Sequence, residues 1–270
     1  MDRKAQIGSA TAKGGFQNER DVAKKFNDWK NDDDSKKWLE IMGYKINDIE
    51  SVCAKVLSGH KTDVQVKIIL IINLSDGICI ENLSLKKANS NSDYNQIDKR
   101  WVDTYKSLWN FSDDVSNALK KFTGEISPKD LLEKGEISQE FYNNLKDKDK
   151  RRLNMYELTE KERDSIINFF IKNKILVVTD LFKGRDNIPP TWMMVTRYDI
   201  NNKVTTWILT PINIAMNFFG DSDIKITSKG SLSIGKITMQ RKGGDNGRKT
   251  ANMLQFKIHP NLLFDLQDGR

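Results

Sequence analysis

Apolar residues recur at helical spacing near the start of the chain, directly after the Gly14-Gly15 pair. The residues that this spacing places on one face are Phe16, Val22, Ala23, Phe26 and Trp29. We therefore predict an amphipathic helix over residues 16–30. A shorter apolar set around Trp38 predicts a second helix that stops at Gly43.

The apolar period changes to two in the following segment, which is typical of β-strands. Val64, Val66 and the run Ile68–Ile72 predict one strand, and a further alternation from Ile78 to Leu85 predicts another. Ser75-Asp76-Gly77, which lies between them, has the composition of a turn. The segment is therefore predicted to form a β-hairpin.

The rest of the chain mixes helical and strand-like segments. Helical spacing runs from Ile97 through Trp109 and again up to Phe122, and Thr159 with Glu162 fits a capping box that opens another helix. A short helix is predicted at 211–219, and strands are predicted at 175–182, 192–198, 204–209, 224–226, 232–239 and 253–258. This order predicts an α/β fold with a mixed central β-sheet flanked by helices, in one domain over residues 1–270.

Length and composition suit a chain with a full-sized core, since 38% of the 270 residues are hydrophobic. The longest apolar run, Ile68–Ile72, is much shorter than the roughly 20 residues of a membrane span, and no apolar signal core follows Met1. We therefore expect a cytoplasmic protein with no membrane association. Cys53 and Cys79, without a Cys/His pair at metal-ligand spacing, exclude a disulfide framework and a zinc knuckle.

Positive charge is concentrated in one segment of the chain. The formal net charge is +7 overall, while residues 225–257 alone contain eight Lys/Arg and a single acid, Asp245. Such a run is either a solvated face or a phosphate-binding surface. Glycine-rich turns and strand-like runs inside the segment favour the binding of a polyanion.

An acid and a lysine are expected to meet at one end of the predicted hairpin. Asp63 begins its first strand, and Ser84-Leu85-Lys86 lies near the end of its second. Phosphodiester hydrolysis needs a carboxylate that holds a divalent cation and a lysine that orients water and stabilises negative charge. Spacing alone makes this a weak signal, because such a pair occurs by chance in many proteins.

Longer stretches carry a more specific signal. The most specific is Gln240–Arg248, with the letters QRKGGDNGR, and it continues from Thr250 to Lys257. The others are Thr11-Ala12-Lys13, Phe16–Phe26 around Asn18-Glu19, Val56-Leu57-Ser58-Gly59, Asn95–Lys99 and Lys148–Arg152. In this order the chain resembles the HinP-type restriction endonucleases that cut at GCGC. The polar residues at about 128–145 are unmatched and are interpreted as an insertion.

This resemblance implies a PD-(D/E)xK restriction-endonuclease-like fold and a type II site-specific deoxyribonuclease that cuts double-stranded DNA with Mg²⁺. It places the catalytic Asp on Asp63 and the catalytic Lys on Lys86. The position two residues before that Lys, usually Glu, Asp or Gln, is Ser84 here. Asp63 and Ser84 are then the expected metal ligands. Because a hydroxyl is a poorer Mg²⁺ ligand than a carboxylate, the metal site is either weaker or completed by another acid.

Two glutamates are candidates for that additional acid. Glu19 lies on the first predicted helix, which often contributes an acid in nucleases of this superfamily, although it also fits an ordinary exposed helix residue. Glu81 lies three positions from Ser84 on the same strand, so an ideal strand points it to the opposite face. We therefore rank Glu19 above Glu81.

DNA recognition is expected from two segments. The turn Gly243–Gly247 is flanked by basic residues, and Arg can read guanine while Asp can accept from cytosine N4, so this turn suits G·C pairs. A hairpin turn with solvated charges is the plain alternative. Asn95, Gln96 and Lys99 are predicted to open the helix after the catalytic strand. The predicted DNA-binding residues are Asn95, Gln96, Lys99, Gln240, Arg241, Lys242, Asp245, Asn246 and Arg248.

The expected function is Mg²⁺-dependent double-strand cutting at a short GC-rich palindromic or pseudo-palindromic site, either GCGC or a related GCNGC or GCWGC site. A homodimer or a related partner subunit is the expected assembly. Ser84 motivates an alternative in which the chain is one subunit of a heteromeric endonuclease, or a DNA-binding subunit with reduced catalytic competence. A repair or RNA nuclease on the same fold is a further alternative.

Overall fold

The structure, a computed structural model, describes residues 3–72, 75–88, 93–145, 150–199, 204–244 and 248–268. Side chains are described from Gly14 onward in these ranges, except at 71–76 and 267–268. The helices are α1 (Arg3–Asn27), α2 (Asp33–Ile41), α3 (Val102–Trp109), α4 (Asp113–Thr123), α5 (Pro128–Glu133), α6 (Gln139–Asn143), α7 (Glu160–Lys183), α8 (Ile212–Gly220) and α9 (Asp265–Asp268).

Ten strands form the two sheets of the described part of the chain. They are β1 (Ile49–Val56), β2 (Val64–Ile72), β3 (Ser75–Ala88), β4 (Asn95–Arg100), β5 (Trp192–Asp199), β6 (Val204–Pro211), β7 (Ile224–Ile226), β8 (Leu232–Ile234), β9 (Ile237–Arg241) and β10 (Leu254–Ile258). The order along the chain is mixed α and β, so the predicted α/β class is confirmed.

The chain divides into two compact units. The first unit comprises Gln6–Asn95, Phe182–Phe218 and the chain from His259 onward. The second unit comprises Gln96–Leu181 and Phe219–Ile258, together with the start of α1. The single domain over residues 1–270, with its insertion at about 128–145, stays a prediction.

The first unit contains the predicted mixed sheet, in the order β1-β2-β3-β5-β6. The pair β3–β5 is parallel, and the other pairs are antiparallel. Alternation along β2 buries Val64, Val66 and Ile68 in a cluster that also holds Phe26 of α1 and Trp38 of α2. Val22, Ala23 and Phe26 of the predicted apolar face therefore fix α1 on this sheet. Phe16, predicted on the same face, is exposed, and the helix spans Arg3–Asn27 instead of 16–30.

The second unit has its own five-stranded sheet, in the order β4-β10-β9-β8-β7, which the sequence analysis did not predict. Its core is aromatic: Tyr105 stacks on Trp109 at 4.4 Å between ring centroids, and both rings meet Phe256 of β10 edge-on. The indole Nε1 of Trp109 donates to the buried carboxylate of Asp180 at 2.8 Å. This hydrogen bond satisfies a polar group inside the apolar core.

Asn95, Gln96 and Lys99 do not open a helix, so that prediction is wrong. They lie on β4, and α3 begins only at Val102. The spacing of Ile97 and Trp101 matches a helix, but pairing with β10, which is distant in sequence, holds the segment as a strand. A short apolar spacing cannot distinguish these two outcomes.

The strand predicted at 175–182 is also wrong, because α7 continues through Lys183. Val177, Val178 and Leu181 are buried while Ile175 and Leu176 are exposed, which is helical rather than alternating burial. The predicted turn Ser75-Asp76-Gly77 likewise belongs to β3, where Ser75 pairs with Ile72. Within the parts of the chain that the structure describes, no helix has the length and apolar character needed to cross a membrane.

The end of α4 depends on a glycine. Gly124 has a φ of +84°, and a Cβ on it would lie 2.2 Å from the carbonyl oxygen of Arg151. Gly135 has a similar φ of +71°, but an added Cβ meets no atom within 4 Å. A substitution at Gly124 therefore combines backbone strain with a steric clash, whereas one at Gly135 introduces the strain alone.

We expect Gly124→Ala to lower the free energy of unfolding by about 3 kcal/mol or more, because strain and clash add. Gly135→Ala, the matched control, should cost only about 1 kcal/mol. Urea unfolding followed by circular dichroism measures both. Equal losses for the two variants would contradict the close approach of Gly124 to Arg151.

Candidate active site and recognition surface

Asp63 is held in the first sheet by its own backbone, directly before β2. Its N–H donates to the carbonyl oxygen of Leu83 at 2.8 Å, and its carbonyl oxygen accepts from the N–H of Leu57 at 2.9 Å. Both bonds continue the sheet ladder at the point where the strand starts. The carboxylate therefore projects from a fixed backbone rather than from a free loop.

The Asp63 carboxylate is the centre of a hydrogen-bonded cluster. Its Oδ2 accepts from the backbone N–H of Leu85 at 2.6 Å and from the hydroxyl of Ser84 at 3.3 Å, and it lies 3.4 Å from Lys86 Nζ. Lys86 Nζ in turn lies 2.9 Å from both Ser84 Oγ and the Leu85 carbonyl oxygen. The structure thus brings together the three residues that the sequence analysis predicted at one end of the hairpin.

Strand geometry explains why these side chains meet. Ser84 and Lys86 are two residues apart on β3 and therefore point to one face, while Leu85 points into the core. Only 16% of the Lys86 side chain and 23% of the Asp63 side chain are exposed. This partial shielding from water strengthens the attraction between the lysine and the carboxylate.

Glu19 on α1 is close enough to this cluster to be affected by its charges. Its pKa is raised to about 6, first because burial disfavours the charged form and then because of the negative charge of Asp63, with Lys86 acting in the opposite sense. The neighbouring Asn18 accepts a hydrogen bond from the Thr196 hydroxyl of β5 at 2.7 Å. That bond anchors α1 at the turn that carries Glu19.

These groups offer a hard, oxygen-preferring cation a limited set of ligands. The oxygen donors are the Asp63 carboxylate, the Ser84 hydroxyl, the Leu85 carbonyl and the Glu19 carboxylate. Among the described residues, no group of three or more His, Cys, Asp or Glu side chains is arranged as a metal site. Mg²⁺ fits such a set, because it usually keeps several waters and takes only one or two protein carboxylates.

Glu81, the lower-ranked acid, makes three other hydrogen bonds. Its carboxylate accepts from the Tyr44 hydroxyl at 2.5 Å, from the Trp192 indole at 2.7 Å and from the Thr191 hydroxyl at 3.1 Å. The pKa of Tyr44 is raised, first by burial and then by this carboxylate. Glu81 therefore joins β3 to neighbouring elements, and its oxygens are occupied within the fold.

The residues predicted to bind DNA lie on other elements. Gln96 and Lys99 are exposed on β4 of the second unit. Asn95, the last residue of the first unit, donates from Nδ2 to the Lys87 carbonyl oxygen at 3.2 Å. Its amide is therefore engaged next to the strand that carries Lys86.

The basic segment lies at the end of β9. Gln240 and Arg241 are its last two residues, Lys242 follows, and Arg248 precedes the short 3₁₀ helix Lys249–Asn252. Gly243 and Gly244 have φ values of +65° and +64°, a conformation that favours glycine. Asp245 and Asn246 lie outside the described residues.

Two partners of these residues were missed by the sequence analysis. Asn252 Oδ1 accepts from Arg241 Nη2 at 2.7 Å and from Nε at 3.2 Å, while Asn252 Nδ2 donates to the Gly124 carbonyl oxygen at 2.8 Å. Gln255 on β10 is hydrogen bonded to Gln96 and Gln240. Both residues lie in the stretch Thr250–Lys257 that carries the resemblance, but the stretch does not show their contacts, which arise only when separate elements become neighbours.

This fold is similar to that of a solved restriction endonuclease. The crystal structure of MspI in complex with its cognate DNA matches with a TM-score of 0.59 at 14% sequence identity, over 95% of this chain and 93% of that chain. At this identity the match shows the fold alone, and it confirms the predicted restriction-endonuclease-like architecture. No curated protein matches the chain.

The family model of the R.HinP1I restriction endonuclease matches residues 42–264. The chain therefore belongs to the R.HinP1I restriction endonuclease family, as its motifs predicted. The predicted enzyme class, a type II site-specific deoxyribonuclease, is likewise confirmed by the family and the fold together.

We expect Glu81→Gln to lower the free energy of unfolding by about 1–3 kcal/mol, because the amide cannot accept from all three donors. Cutting by the folded variant should be retained, since the acid makes its bonds within the fold. Urea unfolding and a cleavage assay at saturating Mg²⁺ test the two parts. Glu50→Gln, at an exposed position on β1, is the matched control. Loss of cutting by a stably folded Glu81→Gln enzyme would show instead that Glu81 serves the active site.

Proposed function

We propose that this restriction endonuclease makes Mg²⁺-dependent double-strand cuts at a short GC-rich palindromic or pseudo-palindromic site, GCGC or a related GCNGC or GCWGC site. The observation that carries the proposal is the cluster of Asp63, Ser84 and Lys86 at one end of the β2–β3 hairpin. A carboxylate, an oxygen donor and an ammonium group within hydrogen-bond reach match the needs of phosphodiester hydrolysis.

Each group of the cluster has a distinct role in the proposed reaction. When bound there, Mg²⁺ would supply Lewis-acid chemistry, that is, neutralisation of charge on the scissile phosphate and activation of water. Asp63 and Ser84 would hold this ion, with the Leu85 carbonyl oxygen and Glu19 within the same neighbourhood. Lys86 Nζ orients the attacking water and stabilises the negative charge that develops on the phosphate.

The DNA-binding role of the basic segment is supported by its geometry. Asn252 fixes the Arg241 guanidinium from one side through two hydrogen bonds. A guanidinium held in this way loses less side-chain freedom when it pairs with guanine O6 and N7. Lys242 and Arg248 flank the predicted turn Gly243–Gly247 in the sequence and suit phosphate contacts.

The likeness to a structure that contains cognate DNA adds support for double-stranded DNA as the partner. A palindromic site presents the same bases twice, so two copies of one recognition surface would read it symmetrically. We therefore propose a homodimer on DNA, or an assembly with a related subunit, in a cytoplasmic restriction-modification system.

Ser84 favours one alternative. A hydroxyl at the position of a usual metal-binding carboxylate weakens the site, and a weak site is more tolerable where a second, related chain also cuts. The chain would then be one subunit of a heteromeric endonuclease, or a DNA-binding subunit with reduced catalytic competence. Site-specific binding without cutting, restored by a related subunit, would identify this case.

Cleavage of unmethylated plasmid and phage DNA tests the proposal directly. With Mg²⁺ we expect discrete fragments whose sequenced ends share one GC-rich site, and no cutting in EDTA. Lys86→Ala should abolish cutting, because the charge beside Asp63 is lost, while binding to the same site is retained. A gel-shift assay measures that binding.

Lys67→Ala, which removes an exposed lysine of β2 in the same sheet, is the matched control and should cut normally. Cutting at wild-type rates by Lys86→Ala would remove this lysine from the proposed mechanism. Fragments with random ends would contradict a fixed recognition site.

The Ser84 position gives a second test, based on metal affinity. Ser84→Asp should lower the Mg²⁺ concentration needed for half-maximal cutting by about tenfold, because a carboxylate is a stronger Mg²⁺ ligand than a hydroxyl. Ser84→Ala should raise it, since one oxygen donor is lost. Initial cutting rates across a Mg²⁺ titration measure both shifts. Identical titrations for the three enzymes would show that residue 84 does not bind the metal.

A further inference from the structure

Three glutamines form a continuous line across the sheet of the second unit. Gln96 lies on β4, Gln255 on the neighbouring β10 and Gln240 on β9, where it is the direct partner of Gln255 in the strand register. Gln255 Nε2 donates to Gln96 Oε1 at 2.6 Å. Gln240 Nε2 donates to Gln255 Oε1 over a longer distance of 3.4 Å. We call these three residues the glutamine row.

The middle member of the row is buried. Gln255 is 5% exposed, whereas Gln96 is exposed and Gln240 is half-buried. A side chain so far removed from solvent has little surface to offer a ligand. Any influence of Gln255 on recognition must therefore pass through the two outer glutamines.

The hydrogen bonds give the row a direction. A glutamine amide has one carbonyl oxygen that accepts and one NH₂ group that donates. Gln96 uses one lone pair of Oε1 within the row, so both N–H bonds of its Nε2 remain for a ligand. Gln240 uses one N–H of its Nε2 within the row, so both lone pairs of its Oε1 remain. The row therefore offers mainly donors at Gln96 and mainly an acceptor at Gln240.

This direction matters for base recognition. A glutamine with both ends available pairs bidentately with adenine, donating to N7 and accepting from N6. A glutamine restricted to its donor end suits guanine, whose O6 and N7 both accept, and one restricted to its acceptor end suits cytosine N4. An orientation of this kind disfavours the bidentate pairing with adenine and leaves both N–H bonds of one amide for the two guanine acceptors.

We propose that Gln255 is a specificity-determining positioning residue, which orients the amides of Gln96 and Gln240 so that they read guanine and cytosine edges. This inference rests on the proposed function and adds a residue to it that never touches the DNA. Linked amides also polarise one another, so removal of the middle member affects both outer members.

Two substitutions at Gln255 distinguish orientation from packing. Gln255→Met keeps the size of the side chain and removes both hydrogen bonds, so the outer amides can rotate. Gln255→Glu still accepts from Gln240 but cannot donate to Gln96, which must then turn its Nε2 inward and its Oε1 outward. In Gln255→Met neither outer amide is held in one orientation. In Gln255→Glu only the amide of Gln96 is reversed, and Gln240 keeps its orientation.

The experiment uses duplexes that carry the site cut by the wild-type enzyme, together with all single base-pair changes of that site. Rates of Mg²⁺-dependent cutting give the discrimination at each position. We expect Gln255→Met to reduce discrimination against A·T replacements by about tenfold at the positions read by the row. Gln255→Glu should instead shift the base preference away from guanine at the position read by Gln96, equally in both halves of the site.

Gln139→Met is the matched control. It makes the same chemical change at an exposed glutamine of α6, whose Nε2 also bonds an amide oxygen, Asn143 Oδ1, at 3.0 Å. Its discrimination should equal that of the wild type. Thermal unfolding of every variant shows whether a change in discrimination accompanies a loss of fold. Gln96→Met is a further variant, which changes a member of the row at an exposed position and leaves the buried Gln255 in place.

A double-substitution cycle then tests whether Gln255 acts through Gln96. If it does, Gln255→Met combined with Gln96→Met should discriminate no worse at the Gln96 position than Gln96→Met alone. Additive losses, or unchanged discrimination in Gln255→Met and Gln255→Glu, would overturn the inference. A wild-type enzyme that cuts at no fixed site would instead overturn the proposed function, so the two failures are separate.

Discussion

The active end of the first sheet depends on the hydrogen bond from the Leu85 N–H to the Asp63 carboxylate, at 2.6 Å. This bond ties the start of β2 to the strand that carries Ser84 and Lys86. Because it fixes the carboxylate through backbone, the side chains on either side of Leu85 meet it from one face. The parallel pairing of β3 with β5 then holds that strand in the interior of a mixed sheet.

The second constraint is the position of α1 on the same sheet. Phe26 packs on Trp38 at 5.0 Å between ring centroids, and Asn18 is tied to Thr196 of β5. These contacts place Glu19 where it senses the charge of Asp63. The apolar face of this helix therefore fills the core and also sets the position of Glu19 relative to the Asp63 carboxylate.

In the second unit, the residues that we propose to read DNA are hydrogen bonded to other residues of the same unit. Arg241 and the outer glutamines offer polar groups at the end of β9 and on β4, while Asn252 and Gln255 hold them from within. Recognition groups held in one orientation bind a matching base edge with less loss of freedom. If the proposed function is right, base recognition by Arg241 and the outer glutamines depends in part on Asn252 and Gln255.

The sequence by itself determined the family, the α/β class, the β2–β3 hairpin and the meeting of Asp63 with Ser84 and Lys86, because these depend on local periodicity, a near neighbour in the chain or a specific motif. Only the tertiary structure decided that Gln96 lies on a strand, that α7 continues past Ile175 and that Glu81 is occupied within the fold. Each of those outcomes rests on partners remote in sequence or on burial, and the preference of a short segment is too weak to override them. The contacts of Asn252 with Arg241 and Gly124, and of Gln255 with Gln96 and Gln240, belong to the same class, since they join separate elements of the fold.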